Sequence, residues 1–388
     1  MAIRPFKTIR HAITALLLMF AALTCVELWM KVNSPASMPA VTSQAPVSVQ
    51  SLLVPSAVCH HELRRMLTMN HQPVEANPPI SIRVNSLGCR GDEVEVPAPA
   101  GTYRILLLGD DSICGAWVAE TETVAARLKQ FLSKSTTASM EVINCGVPGY
   151  CPLLAALKFE HDLARLKPDL VILHVDMTDV ADDACYRSLV LQEGQHAVCS
   201  HPTLRMKPRA GNPLTQLTHQ SAVASWALAK ARQYGPQLLS VNNLVPMAST
   251  DLSWISDNPP DLRIQVRHAF EPIRQLQDAV AKSGGRLLVT TSPVLWQVVS
   301  AEEAPRLSRQ LGIKGTTPFS SQFPFEVLAS FCQESGIHFR DASSAFHNEN
   351  AERLFSKDSP TLSRIGMALY AREIARSLLE DPPTAWKD

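Results

Sequence analysis

Neither sign of charge is in excess in this 388-residue sequence, where 36 lysines and arginines stand against 36 aspartates and glutamates. A zero balance excludes a nucleic-acid binder that works through bulk positive charge, so no nucleic-acid partner is expected. Glycine is scarce (16 residues) while proline reaches 28, which excludes a collagen-type repeat and a glycine-rich linker array. Charged residues make up only 19% against 46% hydrophobic ones, a composition that excludes a largely disordered chain. There is no internal repeat, and no cysteine–histidine set has zinc spacing; His60-His61 reads as a surface loop. No cofactor is expected.

What is present begins with an apolar run. Residues Ala12 to Met30 hold a single charge, Glu27, and follow Arg4, Lys7 and Arg10. The length suffices to span a bilayer, and the basic bias places residues 1–11 in the cytoplasm with the remainder outside. A cleaved signal peptide and a buried core helix are the alternatives, but no small-x-small cleavage site follows, and Leu23-Thr24 before Cys25 makes a poor lipobox. The reading is an uncleaved anchor over 12–30 and a periplasmic or cell-surface domain. Residues 31–57, with Pro35, Pro39, Pro46 and Pro55 among small residues, read as an extended tether, and 58–103 as a lead-in. Of nine cysteines, eight lie beyond the anchor, where disulfides are permitted. Cys145/Cys151 and Cys185/Cys199 are the pairs nearest in sequence.

From Tyr103 onward apolar runs alternate with helical stripes. Arg104–Gly109, Glu141–Cys145, Asp169–His174, Arg286–Thr291 and Gly336–Asp341 read as strands, the first fully apolar and so buried on both faces. Val124, Leu128, Phe131 and Leu132 share one helical face, as do Ala155, Phe159, Leu163 and Leu166 before Pro168. A last helix over about 363–379 buries Met367, Tyr370, Ile374 and Leu378. The pattern predicts a three-layer α/β/α domain with a central parallel sheet over 104–380, interrupted by an insertion at about 184–261 and followed by a tail at 381–388. Ligands of such sheets bind outside the carboxyl ends of the strands.

Four segments at those ends carry a resemblance. Arg104-Ile-Leu-Leu-Leu-Gly-Asp-Asp-Ser-Ile-Cys-Gly115 resembles the Gly-Asp-Ser-x-x-x-Gly block of the SGNH/GDSL hydrolase family. Val142–Tyr150 is similar to the second block, Pro168–Asp179 to the third and Asp358–Gly366 to the last, in the family's order. Ile82–Gly91 also looks like the lead-in of membrane-tethered members. The resemblance implies a flavodoxin-like SGNH fold and an ancestral esterase acting on acyl or acetyl groups, including those of carbohydrate.

Carried over position by position, the resemblance retains Gly109, Asp110, Gly115, Gly146, whose N–H serves an oxyanion hole in the family, and Asp358, which in the family orients the histidine. It places Asp111 at the nucleophile, Thr178 at the oxyanion asparagine with Asp176 at the nearby glycine, and Thr361 at the histidine. An aspartate is a poor substitute for serine in ester cleavage, and threonine is no general base near neutral pH. This points to a degenerate pseudo-hydrolase whose cleft takes an acylated glycan or a protein partner. One alternative is an active hydrolase or acyltransferase in which the strand end slips by one residue, Ser112 becomes the nucleophile, and His174 or His347 serves it. Cys114 reads as a packing residue or disulfide partner. Another alternative is a cation-binding module: Asp111, Asp176 and Asp358 without basic partners favour a hard cation such as calcium or magnesium. Against that stands the simpler reading in which Asp110 and Asp179 cap turns, Asp176 and Asp358 are solvated, and Asp182-Asp183 is a wet loop.

Overall fold

The structure is a computed structural model that describes residues 49–71, 79–193, 196–205, 263–300, 302, 305, 322–347, 349–356 and 361–386. The apolar segment 12–30, most of the tether, the insertion beyond Arg205 and Asp358 lie outside the described residues. Among the described residues no helix is long and apolar enough to cross a membrane.

The end of the tether and the lead-in are folded. Strands β1 (Leu53–Pro55) and β2 (His61–Leu63) pair antiparallel, as do β3 (Leu67–His71) and β4 (Ile80–Val84). Leu52, Leu53 and Leu63 are buried in the main core, so residues 49–57 are packed rather than extended. The alternation in Ile80-Ser-Ile-Arg-Val84, buried at every second residue, is that of a strand with one face inward.

Five parallel strands follow: β5 (Tyr103–Leu108), β6 (Met140–Asn144), β7 (Leu170–His174), then β10 (Arg286–Thr291) and β11 (His338–Asp341) after the antiparallel hairpin β8 (Val190–Glu193) and β9 (His196–Cys199). Their order across the sheet is β11-β10-β7-β5-β6. Numbered within the sheet this is 2-1-3-4-5, the flavodoxin-like arrangement, and its switch point lies between β5 and β7.

Helices cover both faces, because the parallel strands are apolar on both. Leu106, Leu108, Val171, Leu173 and Val289 join a core with the helices Pro152–Lys158, Arg263–Phe270, Pro272–Lys282 and Phe323–Glu334. Ile105, Leu107, Ile172 and Leu288 join a second core with the helices Val124–Ser135 and Arg364–Glu380. The helix that starts at Pro152 continues in altered winding to Leu166, where Lys167 turns left-handed (φ 46°) ahead of Pro168. Three layers, with strands within a residue or two of their expected bounds, match the reading from the sequence.

The lead-in is built into the domain at Arg90. Its backbone bridges to Asn144 of β6, and its buried guanidinium donates to the carbonyls of Cys114, Gly115 and Val118. A cation there meets the carbonyl end of the short turn that carries the site. The hairpin at the start of the insertion packs on the lead-in too, Cys199 N–H donating to Val58 O at 2.7 Å.

Candidate functional site

The switch point is built by the residues just after β5 and β7. The β5 ladder pairs Leu107 with Asn144 on one side and Leu108 with Leu173 on the other, without a bulge. Regular pairing thus continues to Leu108, two residues before Asp110. Gly109 follows at φ 152°, where a Cβ would lie 2.8 Å from Ile113 Cγ1 and 2.9 Å from His174 Cβ. Only glycine lets the chain pass this close to the neighbouring strand end.

Asp110 caps a single helical turn, Asp111–Cys114, its Oδ1 accepting the Ser112 N–H at 2.9 Å. Asp111 is the first helical residue, half-buried, and Ser112 the second, buried. Beside this turn, Gly146 N–H donates to Asn144 Oδ1 at 3.1 Å, while Asn144 Nδ2 donates to Ile113 O at 2.8 Å. Any Cβ at Gly146 would meet Cys114 N at 2.5 Å. Gly146 is thus required by close approach, and its N–H is engaged by Asn144.

From β7, His174 enters the same space with 1% of its side chain exposed. Its Nδ1 lies 2.8 Å from the Tyr370 hydroxyl, which lies 2.5 Å from Thr290 Oγ1; Thr290 in turn donates to Leu173 O at 3.4 Å. A carbonyl only accepts, so the chain of protons runs from Nδ1–H through both hydroxyls to Leu173 O. Nε2 is buried and without a hydrogen-bond partner. It faces Asp176 Oδ2 at 3.7 Å and Asp110 Oδ1 at 3.8 Å. Asp176 is held by Thr178, whose N–H and hydroxyl both donate to Oδ1 at 2.7 Å. Asp176 N–H donates to Asp179 Oδ2 at 2.9 Å.

Burial first, and then the charges of Asp176 and Asp111, push the Asp110 carboxyl well above its usual range. Asp111 is pushed up to about 6 by burial and by Asp176, against the pull of the Gly149 N–H. Burial and Asp176 also raise Asp179 and Asp182. Asp176 moves the other way: burial would raise it, but His174 and the two Thr178 donors hold it below its ordinary value. Among the described residues none of these five aspartates pairs with lysine or arginine.

The sequence-based candidates are distributed as follows. Asp111, Ser112, Gly146, Asp176 and Thr178 belong to the loops at the switch point. Asp176 is buried rather than solvated, because it lies on the carboxyl end of a central strand. Thr361 is half-buried ahead of the last helix, its Oγ1 without a partner and its carbonyl accepting the Ser356 N–H at 2.9 Å. Asp358, the third member of the expected Asp111–Asp176–Asp358 cation set, lies outside the described residues; among the described residues Asp110, His174 and Asp176 converge. His347 Nδ1 bonds Ser343 O of its own helix at 2.8 Å. No hydrogen bond joins Ser112 Oγ to a histidine among the described residues. Cys114 is buried, its thiol pushed up to about 12 by burial, which leaves it inert.

Three further expectations change. Cys145 lies 2.8 Å from Cys89 Sγ to Sγ, not beside Cys151, and Cys185 is not joined to Cys199. His60 and His61 are buried, not surface loop, because β2 is covered by the insertion hairpin and Tyr186. Asp182 and Asp183 lie buried on the helix Asp179–Arg187, Asp183 bonded to Arg187 at 2.7 Å. Tyr370 and Thr290 were not among the candidates. Tyr370 is legible only as an apolar position of the last helix, and nothing in its spacing marks the buried hydroxyl.

The fold is a three-layer α/β domain with a flavodoxin-like parallel sheet, and its strand-end loops form the candidate site. No protein-family model matches the chain, and no curated protein does. Solved structures similar to it include an acetylxylan esterase, Axe2, from Geobacillus stearothermophilus (14% identity over 71% of this chain and 94% of that one, TM-score 0.35). Others are a G-D-S-L family protein from Desulfitobacterium hafniense (13% identity, 70% and 98%, TM-score 0.37) and LAE5, an alpha/beta hydrolase enzyme from the metagenome of Lake Arreo (12%, 71% and 94%, TM-score 0.38). At these identities and scores none of them assigns chemistry to this chain.

Proposed function

We propose that the chain is an extracytoplasmic SGNH-type domain, tethered by residues 12–30, that binds an acylated carbohydrate without cleaving it. One observation carries the loss of cleavage. The histidine at the switch point spends Nδ1 on Tyr370 and turns Nε2 towards two carboxyl groups, while among the described residues Ser112 Oγ is hydrogen-bonded to no histidine. A serine without a base is too weak a nucleophile to open an ester, and an aspartate at the family position does not replace it. The ligand class comes from the four blocks, and the location from the basic-then-apolar N-terminus.

The test uses the full chain in detergent. It should neither turn over a short aryl acetate nor label with a fluorophosphonate above the level of its Ser112→Ala variant, while calorimetry should detect acetylated but not deacetylated xylo-oligosaccharide. Labelling at Ser112 would overturn the loss of cleavage, and equal heats for both sugars would overturn the ligand class.

A further inference from the structure

His174 Nε2 is buried and has no hydrogen-bond partner. Its ring is anchored from behind through Nδ1 by the Tyr370–Thr290–Leu173 chain, so Nε2 points at Asp110 and Asp176. At 3.7 and 3.8 Å the separations are too long for N–H···O bonds, so a proton on Nε2 would not bridge them either. A buried, unpartnered ring nitrogen aimed between two carboxyl groups, with no lysine or arginine paired to the surrounding aspartates among the described residues, is the arrangement of a cation site.

We propose that Asp110, His174 and Asp176 bind a divalent transition-metal cation of the zinc or manganese kind at the switch point. One ligand atom from each lies within 4.8 Å of the others. Zinc–ligand bonds of about 2.0–2.2 Å place two ligands of a tetrahedral ion roughly 3.4 Å apart, so the two pairs at His174, 3.7 and 3.8 Å, need to close by only a few tenths of an ångström. The outer contacts have the form such sites use. Nδ1–H is anchored, which orients the ring, and Asp176 Oδ1 is tied to Thr178, which leaves Oδ2 for the ion. Imidazole with two carboxylates is a borderline donor set. It moves the preference from the calcium or magnesium that carboxylates alone suggest to a first-row transition ion. Three protein ligands leave a position open for water or for a ligand oxygen. The site does not depend on whether an ester is cleaved, and its readout is metal content, not turnover.

The full chain in detergent is stripped with chelator, exposed to micromolar Zn²⁺, Co²⁺, Mg²⁺ or Ca²⁺, desalted, and assayed for bound metal. Wild type should retain one equivalent of Zn²⁺ or Co²⁺ and none of Mg²⁺ or Ca²⁺. His174→Ala and Asp176→Asn should weaken retention by more than the roughly 10–100-fold that loss of an outer contact brings. His347→Ala, whose ring serves its own helix, should retain the full equivalent. Should the variants not fold, the wild-type Co²⁺ spectrum decides: visible d–d bands without a thiolate charge-transfer band support the site. A thiolate band, no retained metal in wild type, or full retention by folded His174→Ala would overturn it.

Discussion

His61 connects the lead-in to the loop that follows β6, and its burial makes that connection sensitive to pH. The ring is fully buried; Nε2 lies 2.8 Å from Pro148 O and Nδ1 lies 3.0 Å from His60 Nδ1. Because Pro148 O only accepts, Nε2 carries the proton and Nδ1 is the acceptor. Burial is the main cause that lowers His61 from 6.5 to about 4, against the pull of the Pro148 carbonyl. The unfolded chain therefore takes up a proton at about pH 6.5 and the folded one only near pH 4. Stability from this group is complete above pH 6.5 and is lost as the pH falls through that window. Linkage puts the loss at about 2 kcal/mol by pH 5 and about 3 kcal/mol by pH 4. His61→Gln keeps a donor for Pro148 O and removes the titration. Urea unfolding of the full chain at pH 7 and pH 5 should show wild type losing about 2 kcal/mol more than the variant between the two. The raised aspartates at the switch point drive stability the opposite way, but both proteins carry them, so they cancel. Equal losses in wild type and His61→Gln would refute the placement of a neutral, buried His61.

Other perturbations address the frame around the site. Gly146→Ala forces a Cβ against the backbone of Cys114 at 2.5 Å, and should cost roughly 2–3 kcal/mol in urea unfolding. Arg90→Met leaves the Cys114, Gly115 and Val118 carbonyls without their donor and should cost about 3 kcal/mol, with early proteolysis of the lead-in. Diamide should oxidise Cys89 and Cys145 to a disulfide, read as a linked peptide by mass spectrometry. A Cys145–Cys151 link instead would contradict the placement of β6 against the lead-in. Tyr370→Phe removes the acceptor for His174 Nδ1–H and should lower metal retention about 10–100-fold while leaving the sheet intact.

The sheet was legible because parallel strands are apolar on both faces: Leu106, Leu107 and Leu108 read as a strand without any partner being known. The strand ends located the site for the same reason, since a flavodoxin-like order places ligands there whatever the side chains. The roles within the site were less legible. Asp110 and Asp176 read as a cap and a solvated carboxylate, and only burial beside His174 gives them a shared task. His174 stood out as a strand-end histidine, but its partner Tyr370 comes from a helix 196 residues away in sequence. The lead-in was hardest to read. His60-His61 has no periodicity, and His60 adopts φ 60°, a left-handed turn that the residue type does not announce.

The proposed loss of ester cleavage is tested most directly by aryl-acetate turnover of the full chain, measured beside its Ser112→Ala variant across pH 6 to 9. Rates should be indistinguishable at every pH, because no histidine among the described residues is hydrogen-bonded to Ser112 Oγ. Wild-type turnover that rises with deprotonation of a histidine and vanishes in Ser112→Ala would show that Ser112 has a base, and would contradict the arrangement of His174 between Asp110, Asp176 and Tyr370.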